Sequence, residues 1–284
     1  MPQTSSTETV LNSPLLGNIS ISKAEFGMFQ KLIYEIAGIS ISDVKKILLV
    51  GRLSKRLKVL GCTNFSEYYK CVTTGDYAAE RQVMVDLLTT NETYFFREPK
   101  HFDHLRQLAA SRRKGNIFRA WSAASSSGEE AYTMAMVLAE TLGSSPWEVI
   151  GTDISSRVLA KAQSGQYPLD RTGGIPTNLL KKYCLKGLNE HAGTLLVARE
   201  LRERVKFQTS NLLQPAKTLG QFDVIFLRNV MIYFENDIKR KVIDNLLPYL
   251  KSDGHFVVGH SESLNGLTNK LTPVAPTIYR HNSV

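Results

Sequence analysis

One stretch, residues 117–133 (IFRAWSAASSSGEEAYT), limits the fold more than any other part of the chain. Ile117 to Trp121 is short and largely apolar, and 122–128 holds only small residues. Glu129 and Glu130 then precede Ala131, Met134, Ala135, Val137 and Leu138, apolar positions at helical spacing. The pattern predicts a buried strand, a tight loop and an amphipathic helix. Small residues at such a turn let a ligand approach the backbone and leave N–H groups facing it. Two carboxylates at the helix start suit its dipole but would repel a phosphate. Two readings stay open. One is a site for a nucleoside with a cationic or hydroxyl-rich end, for which S-adenosylmethionine (SAM) is the obvious candidate. The other is an ordinary strand-to-helix turn with an acidic start.

Strands and helices alternate after this unit, the signature of a parallel α/β sheet. Strands are predicted at 147–153, 204–208, 222–227 and 255–259, with an edge strand at 277–280. Helices are predicted at 158–164 and 237–250, and a turn at Asp253-Gly254. Ligands of open α/β sheets sit outside the carboxyl ends of the strands. The residues there are 123–130, Asp153, Asn211, Arg228 and Asn229. Asp153 is placed to accept hydrogen bonds from a ribose diol, and Asn211 with the Leu212 amide to read an adenine edge. Glu129 or Glu130 would reach the ribose or the amino end of a methionine moiety. Each has a plainer alternative: a turn cap for Asp153, an Asx turn for Asn211, dipole partners for the glutamates. Gly-x-Gly-x-x-Gly and Walker motifs are missing, and neither a Ser-His-Asp order nor zinc-ligand spacing is present.

Residues 22–89 read as all helix. Ser22 and Glu25 form a capping box, apolar residues repeat from Phe26 to Ile36, and Gly38 stands at a C-terminal cap. Ser42 or Asp43 caps a second helix with the stripe Leu49, Leu53, Leu57, Leu60. That helix carries Lys45, Lys46, Arg52, Lys55, Arg56 and Lys58 against the single acid Asp43. Lys45, Arg52 and Arg56 share one helical face, either an ordinary solvated basic face or, as six bases against one acid favour, a binding face for an acidic partner. The formal charge of +9 points the same way, toward nucleic acid, an anionic membrane or an acidic protein. Two shorter helices follow at 65–72 and 78–88. Residues 90–98 mix polar and aromatic types as a linker, and a helix starts at Pro99. Residues 166–205 break the alternation and read as a small inserted β-subdomain with strands near 183–186 and 194–198. Residues 1–21 look like a disordered polar tail without a secretory pattern. Cys62, Cys71 and Cys184 fit free thiols in a reducing cytoplasm.

The motifs TTNETYFFRE (89–98), WSAASSSGEE (121–130), GTDI (151–154), NLL (211–213), RNVMIYF (228–234) and GHSE (259–262) together resemble the chemotaxis receptor methyltransferase family, CheR. The resemblance runs from about residue 22 to 281. It implies a class I SAM-dependent methyltransferase domain of Rossmann-like α/β class at 99–284. A small antiparallel β-subdomain would be inserted at about 166–205, with an all-α domain at 22–89 and a linker at 90–98 that contributes to the cofactor site. By the same resemblance, cofactor contacts fall on Asn91, Thr93, Arg97, Glu130, Asp153, Asn211, Leu212, Arg228 and Asn229. Arg97 and Tyr233 match the residues that flank the transferred methyl. Lys45, Arg52 and Lys58 match the element that meets an acidic receptor region. The implied activity is methylation of glutamates on the cytoplasmic helical bundle of chemoreceptors, releasing S-adenosylhomocysteine, by a cytoplasmic monomer that needs no metal and binds no nucleic acid. In some relatives the inserted subdomain docks a receptor C-terminal peptide by strand addition. Ala131 stands where relatives usually carry proline, which only pre-sets the helix. Lys58 stands at an arginine position, which weakens a bidentate carboxylate contact. The alternatives are a non-catalytic module that binds SAM or S-adenosylhomocysteine as a signal, and a nucleic-acid methyltransferase. The latter commonly carries an Asn/Asp-Pro-Pro-aromatic motif where this chain has Arg228-Asn-Val-Met-Ile-Tyr.

Overall fold

The computed structural model describes residues 20–75, 78–112 and 115–282. All but the last two residues of the expected tail therefore lie outside the described residues. Four helices come first: α1 (Lys23–Ala37), α2 (Lys46–Leu60), α3 (Phe65–Thr73) and α4 (Ala78–Leu88). The capping box at α1 forms as its sequence dictates. Ser22 Oγ accepts from Glu25 N at 3.1 Å, and the Glu25 carboxylate accepts from Ser22 N at 2.9 Å. The expected cap of the second helix does not form. A 3-10 turn (Asp43–Lys45) leads into α2 without a side-chain cap, and the Asp43 carboxylate accepts from Gln30 Nε2 instead, at 3.2 Å. Phe29 centres this bundle, with the rings of Phe65, Tyr68 and Tyr69 within 6.1 Å.

The linker then enters α5 (Lys100–Ala110), followed by β1 (Phe118–Ser122), α6 (Glu129–Leu142), β2 (Trp147–Asp153) and α7 (Ser156–Ser164). The insertion comprises β3 (Gln166–Pro168), α8 (Thr177–Tyr183), β4 (Cys184–Lys186) and β5 (Thr194–Val197), and forms a separate antiparallel sheet in the order β3-β5-β4. The short α9 (Arg199–Arg202) returns the chain to β6 (Val205–Thr209). Next come β7 (Phe222–Leu227), α10 (Asn236–Leu246), β8 (Leu250–Val258), β9 (Leu271–Ala275) and β10 (Ile278–His281). The main sheet runs β6-β2-β1-β7-β8-β10-β9; its first five strands are parallel, and the last two form an antiparallel hairpin on β8. Every side chain of β7 is buried, because helices cover both faces of a parallel sheet. From β1 the chain builds outward to β2 and β6, then returns to the other side with β7 and β8. The crevice between β1 and β7 is thus the topological switch point where ligands bind.

Three sequence expectations change. The helix predicted over 237–250 ends at Leu246 because Pro248 sits in a 3-10 turn, and β8 already starts at Leu250. Asp253 and Gly254 lie within that strand, where the register against β7 shifts between Phe222 and Val224. The expected edge strand has a further neighbour, β9, whose Pro273 disguised it. Proline removes a ladder donor and is tolerated only at such an edge.

The helical bundle is tied to the sheet by specific bonds. Gln82 Nε2 donates to Ile154 O at 2.9 Å, Ser156 Oγ to Asp86 at 2.9 Å, and Tyr34 OH to Asp237 at 2.9 Å. Among the described residues, no helix is long and apolar enough to cross a membrane.

Candidate active site

The small-residue loop after β1 is held at both ends. Ala123 N donates to Phe226 O at 2.8 Å, and Ser126 N to an Asp153 carboxylate oxygen at 2.9 Å. The other Asp153 oxygen accepts from Ser155 N at 2.9 Å. Gly128 closes the loop at φ +94°, and a Cβ there would stand 2.8 Å from Ala162 and 2.9 Å from the Tyr167 hydroxyl. Its lack of a side chain is what lets α6 start against α7 and β3.

The linker lies across this loop. Phe95 is buried as a wedge against the Tyr167 ring, at 4.9 Å. Phe96 N donates to Thr133 Oγ1 on α6 at 3.1 Å, Arg171 from the β-subdomain donates to Thr93 O at 2.9 Å, and Ser126 Oγ donates to Asn91 O at 3.0 Å. Phe96, Glu98, Ser126 and Asn229 all adopt positive φ without being glycine. Such left-handed residues cost roughly 1–3 kcal/mol each, persist where surrounding contacts over-determine them, and gather at functional sites. Here they belong to the linker, the loop and the end of β7, the three walls of one cleft.

Arg228 joins those walls. It is 5% exposed, donates to Glu130 at 2.7 Å and to Glu98 at 2.9 Å, and also bonds the Arg97 carbonyl. Burial pushes the Glu130 carboxyl up, with the Arg228 charge pulling the other way. Asp153 is likewise pushed up by burial, against its backbone hydrogen bonds. Burial also works against ionised Glu98, but the Arg228 hydrogen bond and charge outweigh it and hold this carboxyl below its usual range. Beside them, burial and then Arg228 depress His101 to about 3. Glu98, His101 and His260 bring ligand-type atoms within 4.8 Å of one another. Arg228 lies 2.9 Å from the Glu98 carboxylate, and that cation disfavours a metal ion there.

The cleft is lined by Asn91, Thr93 and Arg97 from the linker, Glu130 and Asp153 from the first two β–α units, and Asn211, Leu212, Arg228, Asn229 and Tyr233 from the later strand ends. Lys45 and Arg52 reach its α2 side, whereas Lys58 lies outside it. Three readings are refined. Asn211 Nδ2 donates to Ile36 O at 2.6 Å and its Oδ1 accepts from Leu213 N at 2.9 Å, so the side chain forms an Asx turn, while Leu212 lines the cleft. Arg52 donates to the Leu88 and Thr89 carbonyls at 3.2 Å each, which closes the C-terminus of α4. Arg56 grips Glu80 with two nitrogens. The shared basic face of Lys45, Arg52 and Arg56 is thus largely turned inward.

Sequence reasoning passed over several residues of this site. Glu262 accepts from the N–H groups of Gly259, Asn229 and Met231 at 2.7–2.8 Å, and so fixes the left-handed Asn229. Glu129, read from the sequence as an alternative to Glu130 for reaching the ligand, is instead fully buried outside the cleft lining, with Ser127 Oγ at 2.7 Å and Arg171 at 3.6 Å. Glu98 and Glu262 end two of the quoted motifs, which was the available signal. Tyr167 and Arg171 carried none.

The donor set suits a nucleoside bearing a cation better than a phosphate. Arg228 is already matched by Glu98 and Glu130. The floor is small (Ala123, Ala124), and Ile154, Leu212 and Phe234 supply apolar wall beside the Asp153 carboxylate. Asp153 and Glu130 therefore offer negative charge at the strand ends, where a phosphate would be repelled and a sulfonium-bearing nucleoside such as SAM would be accepted.

Comparison with known proteins agrees with this geometry. The SAM-binding domain of the CheR methyltransferases matches residues 91–280, and their all-alpha domain matches residues 24–89. The chain is 39% identical over 275 residues to a chemotaxis protein methyltransferase of Escherichia coli (strain K12), covering 96% of both chains. It is 37% identical over 273 residues to chemotaxis protein methyltransferase 2 of Pseudomonas aeruginosa, covering 94% of this chain and 97% of that one. With a chemotaxis protein methyltransferase of Borreliella burgdorferi it shares 37% identity over 278 residues, 93% of this chain and 96% of the other. The chain belongs to the CheR methyltransferase family and carries both its all-alpha domain and its SAM-binding domain.

Proposed function

We propose that this chain transfers the methyl group of SAM to glutamate side chains on the cytoplasmic helical region of chemoreceptors, leaving glutamyl methyl esters and S-adenosylhomocysteine. The observation that carries this reading is the meeting of Arg97 and Tyr233 in one cleft with the strand-end residues. One comes from the linker and the other from the 3-10 turn (Met231–Tyr233) after β7. A glutamate has a reference pKa of about 4.3, so it is already a carboxylate nucleophile at neutral pH. SAM, when bound, supplies a methyl group on a sulfonium. The chain needs no general base; it has to hold the carboxylate in line and exclude water. Arg97 is the orienting group. It gives one hydrogen bond to Glu92 O at 3.1 Å and keeps its other donors for a carboxylate. Arg228, locked between two glutamates, does not compete for the nucleophile. Tyr233 lines the methyl path. Asn91, Thr93, Glu130, Asp153, Leu212 and Asn229 hold the cofactor, with Asn211 shaping the turn that presents Leu212. Lys45 and Lys58 meet the acidic receptor. In the β-subdomain, β4 keeps one open edge with Leu185 exposed, whereas the opposite edge ends at Pro168. A receptor C-terminal peptide would add to β4 by strand pairing.

The test is transfer from labelled SAM to membranes bearing chemoreceptors. Base-labile label mapped to glutamates is the expected result. Base-stable label, or label recovered in RNA, would reject the assignment, as would SAM binding by calorimetry without turnover. At saturating SAM, Arg97→Ala is expected to lose about 100-fold in single-turnover rate.

A further inference from the structure

The parallel ladder between β7 and β8 ends at the pair Leu227–Val258. Both segments then leave the sheet, and their next backbone N–H groups need new partners. One side chain supplies them. Glu262 is 7% exposed; its Oε2 accepts from Gly259 N at 2.7 Å and from Asn229 N at 2.8 Å, and its Oε1 accepts from Met231 N at 2.8 Å. Glu98 and Glu130 are each matched by Arg228, whereas among the described residues Glu262 forms no ion pair. An acceptor-only carboxylate can hold three aimed N–H groups. A glutamine cannot, because its NH2 would face one of them as a second donor.

Gly259 makes room for this arrangement. A Cβ there would stand 2.5 Å from Asn229 Nδ2 and 2.8 Å from Glu262 Oε2. Its φ is not positive, so close approach rather than backbone conformation explains the glycine.

What the carboxylate fixes is the entry to the turn that carries Tyr233. Asn229 is left-handed at φ +58°, and its side-chain amide donates to Glu98 of the linker at 3.2 Å. Met231 opens the 3-10 turn that ends at Tyr233. The far end of that turn is held from the helical domain: Ser40 N, in the connection between α1 and α2, donates to Tyr233 O at 3.0 Å. Asn229, Val230 and Tyr233 line the cleft, but Glu262 does not. It stands behind the backbone and reaches the cleft only through the segment it holds.

We propose that Glu262 is a positioning residue for methyl transfer: it sets the turn so that Tyr233 stands on the methyl path, and it acts on the rate through Tyr233. The inference rests on the reading above, in which Tyr233 lines that path.

Glu262→Gln, Tyr233→Ala and the double variant form a double-mutant cycle, run in the full chain with receptor-bearing membranes as substrate. Rates are counted per SAM-binding molecule, so unfolded protein does not enter them. At saturating SAM, Glu262→Gln is expected to lose at least about tenfold in single-turnover rate, since misplacing a group by about 1 Å can cost on the order of 100-fold. The loss falls on kcat and leaves the KM for receptor unchanged. The double variant is expected to be no slower than Tyr233→Ala, because Glu262 then has nothing left to position. A full rate in Glu262→Gln, or losses that multiply in the double variant, overturns the proposal and makes Glu262 an anchor of the fold alone. Gly259→Ala disturbs the same carboxylate without removing it and is expected to show the same loss in kcat. A full rate in Gly259→Ala overturns the proposal even if Glu262→Gln does not fold. A wild-type rate in Tyr233→Ala rejects the role of Tyr233 and the proposal with it. If wild type gives no base-labile label, it is the receptor reading itself that fails.

Discussion

Arg228 and Glu130 meet at 2.7 Å beneath the cleft, with the guanidinium almost wholly withdrawn from water. Assembling such a pair yields little net stability, because desolvating both charges offsets their attraction. Breaking it is another matter. Arg228→Met would leave the half-buried Glu130 and Glu98 without their cation, and should cost about 3–5 kcal/mol in denaturant unfolding. Glu130→Gln, which keeps the shape and leaves Arg228 its Glu98 partner, should cost clearly less. Equal losses in the two variants would show that the network does not work as a buried charge cluster.

The basic residues of α2 should separate into two groups. Arg56 holds the buried Glu80, which also accepts from the Tyr68 hydroxyl at 2.9 Å. Arg56→Ala should therefore lower stability by a few kcal/mol, on the order of other broken buried pairs. Lys58 is exposed, and Lys58→Ala should leave stability within about 0.5 kcal/mol. Thermal melts of both variants check this; a large loss on removing Lys58 would mean that the helix face is organised differently.

The strand ends and the small-residue loop were legible because they are local: apolar runs, turn residues and an acid at the end of β2 all lie within a few positions. The partnerships that build the cleft are not local. Glu98 meets Arg228 across 130 residues, and Asn211 meets Ile36 across 175. Spacing placed Lys45, Arg52 and Arg56 on one helix face, but Lys45 falls in the 3-10 turn before α2, and spacing carries no information about what packs against the helix. Arg52 and Arg56 read as ligand-seeking cations because Leu88, Thr89 and Glu80 approach them only in the folded bundle. Asn211 shows the same limit in reverse. Its Asx-turn alternative and its ligand-reading alternative use the same sequence, and only the position of Ile36 decides how the side chain is used.

The β-subdomain should tune the cofactor site through two side chains. Tyr167 OH donates to Ser127 O at 2.7 Å, and Arg171 donates to Thr93 O at 2.9 Å, so the insertion holds both the loop and the linker. Tyr167→Phe leaves a buried carbonyl without its partner, an effect of about 1–3 kcal/mol. We expect SAM affinity by calorimetry to fall several-fold in Tyr167→Phe and in Arg171→Ala. Retained affinity in both would mean that the insertion only braces the fold.

Acid should weaken the fold in a way traceable to His101. Its ring is 1% exposed, its Nε2 lies 2.8 Å from Thr277 Oγ1, and burial followed by the Arg228 charge depresses its pKa to about 3. Unfolding returns it to the ordinary value of about 6.5. Below that pH the unfolded chain binds a proton that the folded chain refuses, so stability falls as pH drops from 7 toward 3. At pH 5 the contribution of this one group is a loss of about 2 kcal/mol. Glu98, held below its usual range mainly by Arg228 against the effect of burial, acts in the same direction, since its stabilisation is lost as pH falls through its folded pKa. Glu130 and Asp153, pushed up by burial, act the opposite way. His101→Gln removes the titrating ring and keeps a polar group near Thr277, so its unfolding free energy should depend less on pH between 7 and 5 than that of wild type. Urea denaturation at pH 7, 6 and 5 measures both slopes. If they coincide, the acid sensitivity belongs to other groups, and His101 is not the buried neutral base that its surroundings require.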